Sequence, residues 1–188
     1  MILAIYGTTH SGKTSLATMI EQTSRESVST IHTDAILALH SLHDPWNGHD
    51  DEVAPWHARE FHNLVLDEVM IASKDSHVVI VEGNALSPLV TSSWLHPDTQ
   101  ILLCRRSVSP LRMLRECRVT DRGRYTSAKD DEYLLTYFCT QQTLACKWAS
   151  AFDGRDGISV IDTTDMHDGL VEACHVAQDA IARYGDSL

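Results

Sequence analysis

The chain is poor in every feature that marks a specialised scaffold. Its five cysteines (Cys104, Cys117, Cys139, Cys146 and Cys174) include no C-x-x-C pair. That excludes zinc ribbons and thioredoxin-type redox motifs, and points to reduced thiols rather than a disulfide framework. No apolar stretch approaches the about 20 residues that a membrane helix needs. The apolar start, residues 1–6, is too short for the hydrophobic segment of a secretory signal, so the expected location is the cytoplasm with no membrane partner. Positive charge is scarce as well: 15 Lys and Arg stand against 26 Asp and Glu, a formal net charge of −11. A surface of that sign repels phosphate backbones and argues against general nucleic-acid binding. No repeat, low-complexity tract or Pro/Gly-rich linker divides the 188 residues, which predicts one domain with a sizeable core.

What the chain does have begins at Gly7. Gly7-Thr8-Thr9-His10-Ser11-Gly12-Lys13-Thr14 matches G-x-x-x-x-G-K-[ST], the phosphate-binding P-loop. The context is right for it. Residues 1–6 read as a buried strand, and the stretch from Thr14 opens a helical pattern. Strand, glycine loop and helix together turn backbone N–H groups and a helix N-terminus onto phosphate oxygens. The nucleotide contacts expected are Gly7, Thr8, Thr9, His10, Ser11, Gly12, Lys13, Thr14 and Ser15. Lys13 supplies a point charge to the β- and γ-phosphates, and the Thr14 hydroxyl can ligate Mg²⁺. His10 occupies a variable position and reads as a spacer.

Further strands are expected at residues 28–32, 77–82, 100–104 and 158–162. Val78-Val79-Ile80-Val81 is the best of them, a β-branched run suited to a parallel strand covered on both faces. Helices are expected at 13–23, 52–73, from the Ser109-Pro110 cap onward, 131–152 and 167–184. In the second of these, Trp56, Phe61, Leu64, Val65, Val69 and Met70 form the apolar stripe. The alternation predicts an α/β three-layer sandwich: a five-stranded parallel sheet with helices on both faces and right-handed crossovers. Ligands in such sheets bind beyond the carboxyl ends of the strands, so the residues that follow each strand matter most: the P-loop, Asp34, Glu82, Arg105-Arg106 and Asp162-Thr163-Thr164. The last of these either borders a nucleotide base or is a plain turn.

The chain lacks the Asn-Lys-x-Asp guanine signature of GTPases and the Leu-Ser-Gly-Gly signature of transport ATPases. Its remaining polar features suit phosphoryl transfer. Asp34 follows the second strand and can accept a proton from an acceptor hydroxyl, hold that hydroxyl in line, or cap the segment 35–39. Glu82 ends the best strand and can hold Mg²⁺ through water, with Gly83 permitting a sharp turn beside the ligand. Arg105, Arg106, Arg112, Arg115, Arg118, Arg122 and Arg124 fall within 20 residues of an acidic chain. Such clustering suits a lid over about 105–130 that closes on an anion, with Arg115, Arg118, Arg122 and Arg124 the candidates for catalysis. Pairing with Glu116, Asp121 and Asp130 is the competing use of these arginines.

In these features the chain resembles the uridine kinase and nicotinamide riboside kinase group of P-loop kinases. The resemblance rests on Gly7–Thr14 with Ser15-Leu16-Ala17, on Asp34, on Val79-Ile80-Val81-Glu82-Gly83, and on the arginine stretch ending in Arg122-Gly123-Arg124. It covers most of the first 125 residues, and the P-loop is its one specific motif. It implies ATP and Mg²⁺ as cofactors and a small hydroxyl compound, typically a nucleoside, as phosphate acceptor. Asp34 would be the catalytic carboxylate, Glu82 would help organise the metal, and the arginines would form the lid. The chain departs from the group in lacking an aromatic-Asp-His-Pro segment; Leu42-His43-Asp44-Pro45-Trp46 is the nearest stretch and lies closer to Asp34. Polynucleotide 5′-hydroxyl or modified-base kinases and antibiotic phosphotransferases share the pattern with other acceptors, and a switch ATPase shares the P-loop without an acceptor.

The stretch around 38–62 reads as the acceptor-binding insert. It holds five histidines with Asp44, Trp46, Trp56 and Arg59. Aromatic and imidazole rings can stack on a planar ring, and Asp44 or Arg59 can bond sugar hydroxyls. Zinc is disfavoured because no cysteine accompanies these residues and His57 and His62 fall on different helix faces. His32 is expected to support Asp34.

Overall fold

The computed structural model describes residues 1–8, 10–40, 55–83, 99–120, 128–152 and 154–185, with the side chains of 55–58, 120, 128–130, 144 and 148 left aside. The elements run β1 (Ile2–Gly7), α1 (Lys13–Thr23), β2 (Val28–His32), α2 (Thr33–Leu39), α3 (Pro55–Ala72), β3 (Val78–Glu82), β4 (Thr99–Arg105), α4 (Pro110–Thr120), α5 (Ala128–Phe152), β5 (Ile158–Asp162) and α6 (Met166–Gly185).

All five strands are parallel, in the order β2-β3-β1-β4-β5. Composition explains which strands are central. β1 and β3 are almost continuously apolar, β4 carries the apolar run Ile101–Cys104, and all three are almost wholly buried, as a strand covered by helices on both faces must be. The edge strands Val28-Ser29-Thr30-Ile31-His32 and Ile158-Ser159-Val160-Ile161-Asp162 mix in hydroxyls and are only partly buried. Two cores flank the sheet. On one side Ile36 and Leu37 of α2, Phe61, Val65 and Val69 of α3, and Ala149 and Phe152 of α5 pack on Tyr6, Val79, Val81 and Leu103. On the other, Leu16, Ala17 and Ile20 of α1 and Ala173, Cys174, Ala177 and Ile181 of α6 pack on Leu3, Ile5, Ile80 and Leu102. Burying each Val, Leu, Ile or Phe side chain among them stabilises the fold by about 1.5–3 kcal/mol.

A third, smaller core joins α4 to α5 through Val108, Met113, Leu114, Cys117, Leu134 and Phe138. Ser109 caps α4, its Oγ accepting the Arg112 N–H at 3.3 Å, and Pro110 stands at the first helical position. The arginine-bearing helix is thus seated on the first half of α5. One stripe residue departs from expectation: Met70 is 63 % exposed while Phe61, Val65 and Val69 are buried. The buried three recur every four residues; Met70, one step past Val69, is turned about 100° round the helix from it. Among the described residues no helix is long and apolar enough to cross a membrane.

Candidate active site

Parallel pairing places the polar strand ends side by side. Ile5 of β1 is level with Glu82 of β3, and His32 of β2 is level with the same Glu82. The P-loop leaves β1 two residues beyond Ile5, so loop, Glu82 and His32 share the carboxyl edge of the sheet. Asp34 stands in the first turn of α2, which begins at Thr33. It is therefore a residue within the helix and not its cap; the cap position is His32.

Within the loop, Gly12 takes φ 87°, a left-handed conformation that leads into α1. His10 also has positive φ, 59°, and is more than a spacer: its ring meets the Phe138 edge at 6.2 Å, and its carbonyl accepts a hydrogen bond from Arg106 at 3.2 Å. Lys13 is buried, its Nζ donating to the Thr8 carbonyl at 2.8 Å. Burial lowers the Lys13 pKa, against the opposing pull of Glu82, Cys104 and Asp34. Cys104 lies in the same apolar strand end, where burial pushes its thiol up to about 12 and keeps it protonated.

These residues fit a polyphosphate. The hydroxyls Thr8 Oγ1 and Ser11 Oγ are buried with no hydrogen-bond partner among the described residues, a costly arrangement unless a ligand supplies acceptors. An anion beside the desolvated Lys13 would favour its charged form. The metal residues also fit. Thr14 Oγ1 donates to Glu82 Oε1 at 3.2 Å, so one hydroxyl and one carboxylate stand together. Among the described residues no three His, Cys, Asp or Glu side chains cluster as a protein-only cage. A single carboxylate and a hydroxyl suit Mg²⁺, which keeps waters and takes substrate phosphates for the rest.

Asp34 is drawn close by glycine. A Cβ at Gly83 (φ 148°) would overlap Thr33 Oγ1 and come 3.4 Å from Asp34 Oδ1. Burial raises the Asp34 pKa; Lys13 works against that, Glu82 adds to it and His32 subtracts. The hydrogen bond of His32, however, goes elsewhere. Its Nδ1 lies 2.6 Å from Glu82 Oε1, so its direct partner is Glu82 and not Asp34. The cause is register: residues level on adjacent parallel strands face the same side, whereas Asp34 has already turned into α2.

The arginines separate sharply. Arg106 is 5 % exposed and binds Glu116 with both terminal nitrogens, at 2.5 and 3.0 Å. Arg112 Nε adds a third bond to Glu116 at 3.0 Å. Arg115 is exposed, and Arg118 pairs with Asp131 at the start of α5. Arg105 pairs with Asp162 at 3.2 Å, and hydrogen bonding from Thr164 holds the Asp162 pKa low. The sequence marks Arg106 as a residue that follows a strand, but not as one of the catalytic arginines. Its signal was its position directly after β4, level with the P-loop. Arg59 lies exposed on α3. Thr9, Asp44, Trp46, Arg122, Arg124 and the side chain of Trp56 fall outside the described residues.

No family model matches the chain, and no curated protein matches it. Solved structures do. A shikimate kinase from Bacteroides thetaiotaomicron superposes with TM-score 0.53 at 14 % identity over 97 % of this chain and 98 % of its own. A gluconokinase from Sinorhizobium meliloti 1021 gives 0.52 at 16 %, over 98 % and 93 %. A deoxyadenosine kinase from M. mycoides with bound dATP gives 0.56 at 12 %, over 97 % and 100 %. The chain has the α/β P-loop NTPase fold. The likeness spans nearly the whole of each chain.

Proposed function

We propose that the protein is an ATP-dependent phosphotransferase that moves the γ-phosphoryl group of Mg-ATP to a hydroxyl of a small molecule, with a nucleoside as the first candidate. The observation that carries this is Asp34, a carboxylate held against Gly83 at the carboxyl edge of the sheet, in the fields of Lys13 and Glu82. A carboxylate so placed can hold an acceptor hydroxyl in line for transfer and take its proton. Support comes from the names of the three solved neighbours, all kinases of small molecules, one of them a deoxyadenosine kinase.

In this proposal Mg-ATP, when bound, supplies the transferable phosphoryl group and a cation that screens its charge. Gly7, Thr8, Thr9, His10, Ser11, Gly12, Lys13, Thr14 and Ser15 hold the phosphates by backbone N–H groups, hydroxyls and the Lys13 ammonium. Thr14 and Glu82 serve the metal. Asp34 orients the acceptor hydroxyl and takes its proton. Arg115, Arg118, Arg122 and Arg124, on the segment about 105–130, act as a lid that adds positive charge and excludes water. Residues about 38–62, with Asp44, Trp46, Trp56 and Arg59, form the acceptor side of a single kinase domain spanning 1–188.

The test is ADP release from Mg-ATP across nucleosides, hydroxy acids, sugars, aminoglycosides and a short oligonucleotide. Stimulation by one small-molecule class is expected. ATP turnover that no acceptor changes, with partner capture only in the ATP state, would replace the proposal by a nucleotide switch. Asp34→Asn should lower acceptor-stimulated turnover about 10²–10⁴-fold and leave AMP-PNP binding intact; loss of both together would move Asp34 into the nucleotide site.

A further inference from the structure

Glu82 is buried, 6 % exposed, at the end of the central strand β3. A carboxylate there has no water shell to orient it, so its rotamer depends on the donors around it. Two of the described side chains reach it, and both reach the same atom: Thr14 Oγ1 at 3.2 Å and His32 Nδ1 at 2.6 Å, each on Oε1. Oε2 takes part in none of the described hydrogen bonds. Because an ionised carboxylate only accepts, the 2.6 Å contact requires the proton on Nδ1. His32 belongs to the edge strand β2, and its side chain is half exposed. Solvent alone would leave such a ring free to choose among rotamers. The parallel register that sets it level with Glu82 holds it there instead.

We propose that His32 is a positioning residue for the metal-serving carboxylate. By tethering Oε1 from the β2 side while Thr14 tethers it from the P-loop side, His32 fixes the Glu82 carboxyl plane and leaves Oε2 for the waters of the bound cation. The inference rests on the phosphotransferase reading only so far as Glu82 serves Mg²⁺ there. Thr14 cannot do the work alone: its hydroxyl is also the atom expected on the metal, and a single long bond from a short side chain leaves the carboxylate free to rotate about its last torsion. Outer donors of this kind typically alter metal affinity about 10–100-fold when removed. His32 thereby acts through Glu82 and needs no contact with nucleotide or acceptor.

The choice of substitutions separates positioning from simple packing. Asn at 32 can place an N–H where Nδ1 now stands; Gln places it where Nε2 stands, and Ala removes it. AMP-PNP binding is titrated calorimetrically with the metal chelated and again over a series of Mg²⁺ concentrations, on wild type, H32A, H32Q and H32N. For H32A and H32Q the Mg²⁺ concentration at half effect should rise about 10–100-fold, with metal-free AMP-PNP affinity unchanged, and H32N should stay near wild type. Equal Mg²⁺ dependence in wild type and H32A, with the fold intact by circular dichroism, overturns the positioning role and leaves the phosphotransferase reading standing. Loss of metal-free binding in H32A and H32N alike makes the residue structural and also overturns it. A wild type whose AMP-PNP affinity ignores Mg²⁺ overturns the metal role of Glu82 and the positioning role with it, and leaves phosphoryl transfer to the acceptor assay.

Discussion

Replacing Glu116 by Ala strips a buried guanidinium of its counter-ion. Arg106 is 5 % exposed and Glu116 32 %, and they share two hydrogen bonds of 2.5 and 3.0 Å. Removing one partner of a fully buried pair costs about 3–5 kcal/mol, because a charge is left desolvated and unpaired; an exposed pair is worth about 0–1 kcal/mol. Glu116 is partly open, so water can reach the gap, and the low end of the buried range applies. Loss of the exposed Arg112 bond adds about 0.3–0.5 kcal/mol. A destabilisation of about 3 kcal/mol corresponds in a chain of this size to a fall in Tm of about 6–12 °C. The His10 carbonyl keeps its Arg106 donor in this variant, so the loss falls on the seating of α4. Urea unfolding of wild type, E116A, R106M and the double variant gives the coupling energy directly. The Glu116 pKa is held below its ordinary 4.5, first by the Arg106 hydrogen bond. A depressed acid contributes stability that is whole above the unfolded pKa and is lost as pH falls through the folded one. The wild-type advantage over E116A should therefore be flat above about pH 5 and shrink below pH 4.5. A coupling below about 1 kcal/mol, or an advantage that grows on acidification, would refute the buried-pair argument.

Other outcomes follow from the same site. Because burial raises the Asp34 pKa, the acid limb of kcat/KM should lie above the ordinary carboxylate value of 3.8, activity falling as pH drops through it. A carboxyl NMR titration of nucleotide-free protein, assigned with D34N, checks the direction, and an Asp34 midpoint at or below 3.8 would contradict it. Gly83→Ala should cost about 1–3 kcal/mol in urea unfolding from its left-handed φ, and more from the overlap with Thr33; an unchanged midpoint would mean that the turn can relax. Lys13→Met should abolish AMP-PNP binding while leaving the fold intact or firmer, since a desolvated ammonium is removed. Retained affinity would place the phosphates elsewhere.

Much of this molecule is written locally. The P-loop is a contiguous pattern, and its strand and helix flanks are set by adjacent residues. Val78–Val81 announces a covered strand because four apolar β-branched residues in succession suit no other setting. Ser109-Pro110 marks a helix start through the cap hydroxyl and the missing N–H. Even the carboxyl-edge placement of Asp34 and Glu82 follows from chain direction in a parallel sheet. Partner choice is different. Seven arginines within 20 residues are chemically alike, and sequence offers no means of telling that Arg106 is sunk against Glu116 and His10 while Arg115 stays in water. The contact from Arg106 to His10 spans 96 residues and that from His32 to Glu82 spans 50. Local preference carries no information about such pairs.

By itself, then, the sequence determined a phosphate-binding loop on an alternating α/β frame, since those features depend on neighbours along the chain. The tertiary structure alone decided the strand order β2-β3-β1-β4-β5 and the register that follows from it. That register is why His32 serves Glu82 rather than the nearer Asp34: two residues along the chain the backbone has turned into a helix, whereas across the sheet, one strand over, the hydrogen-bond ladder holds the imidazole and carboxylate level.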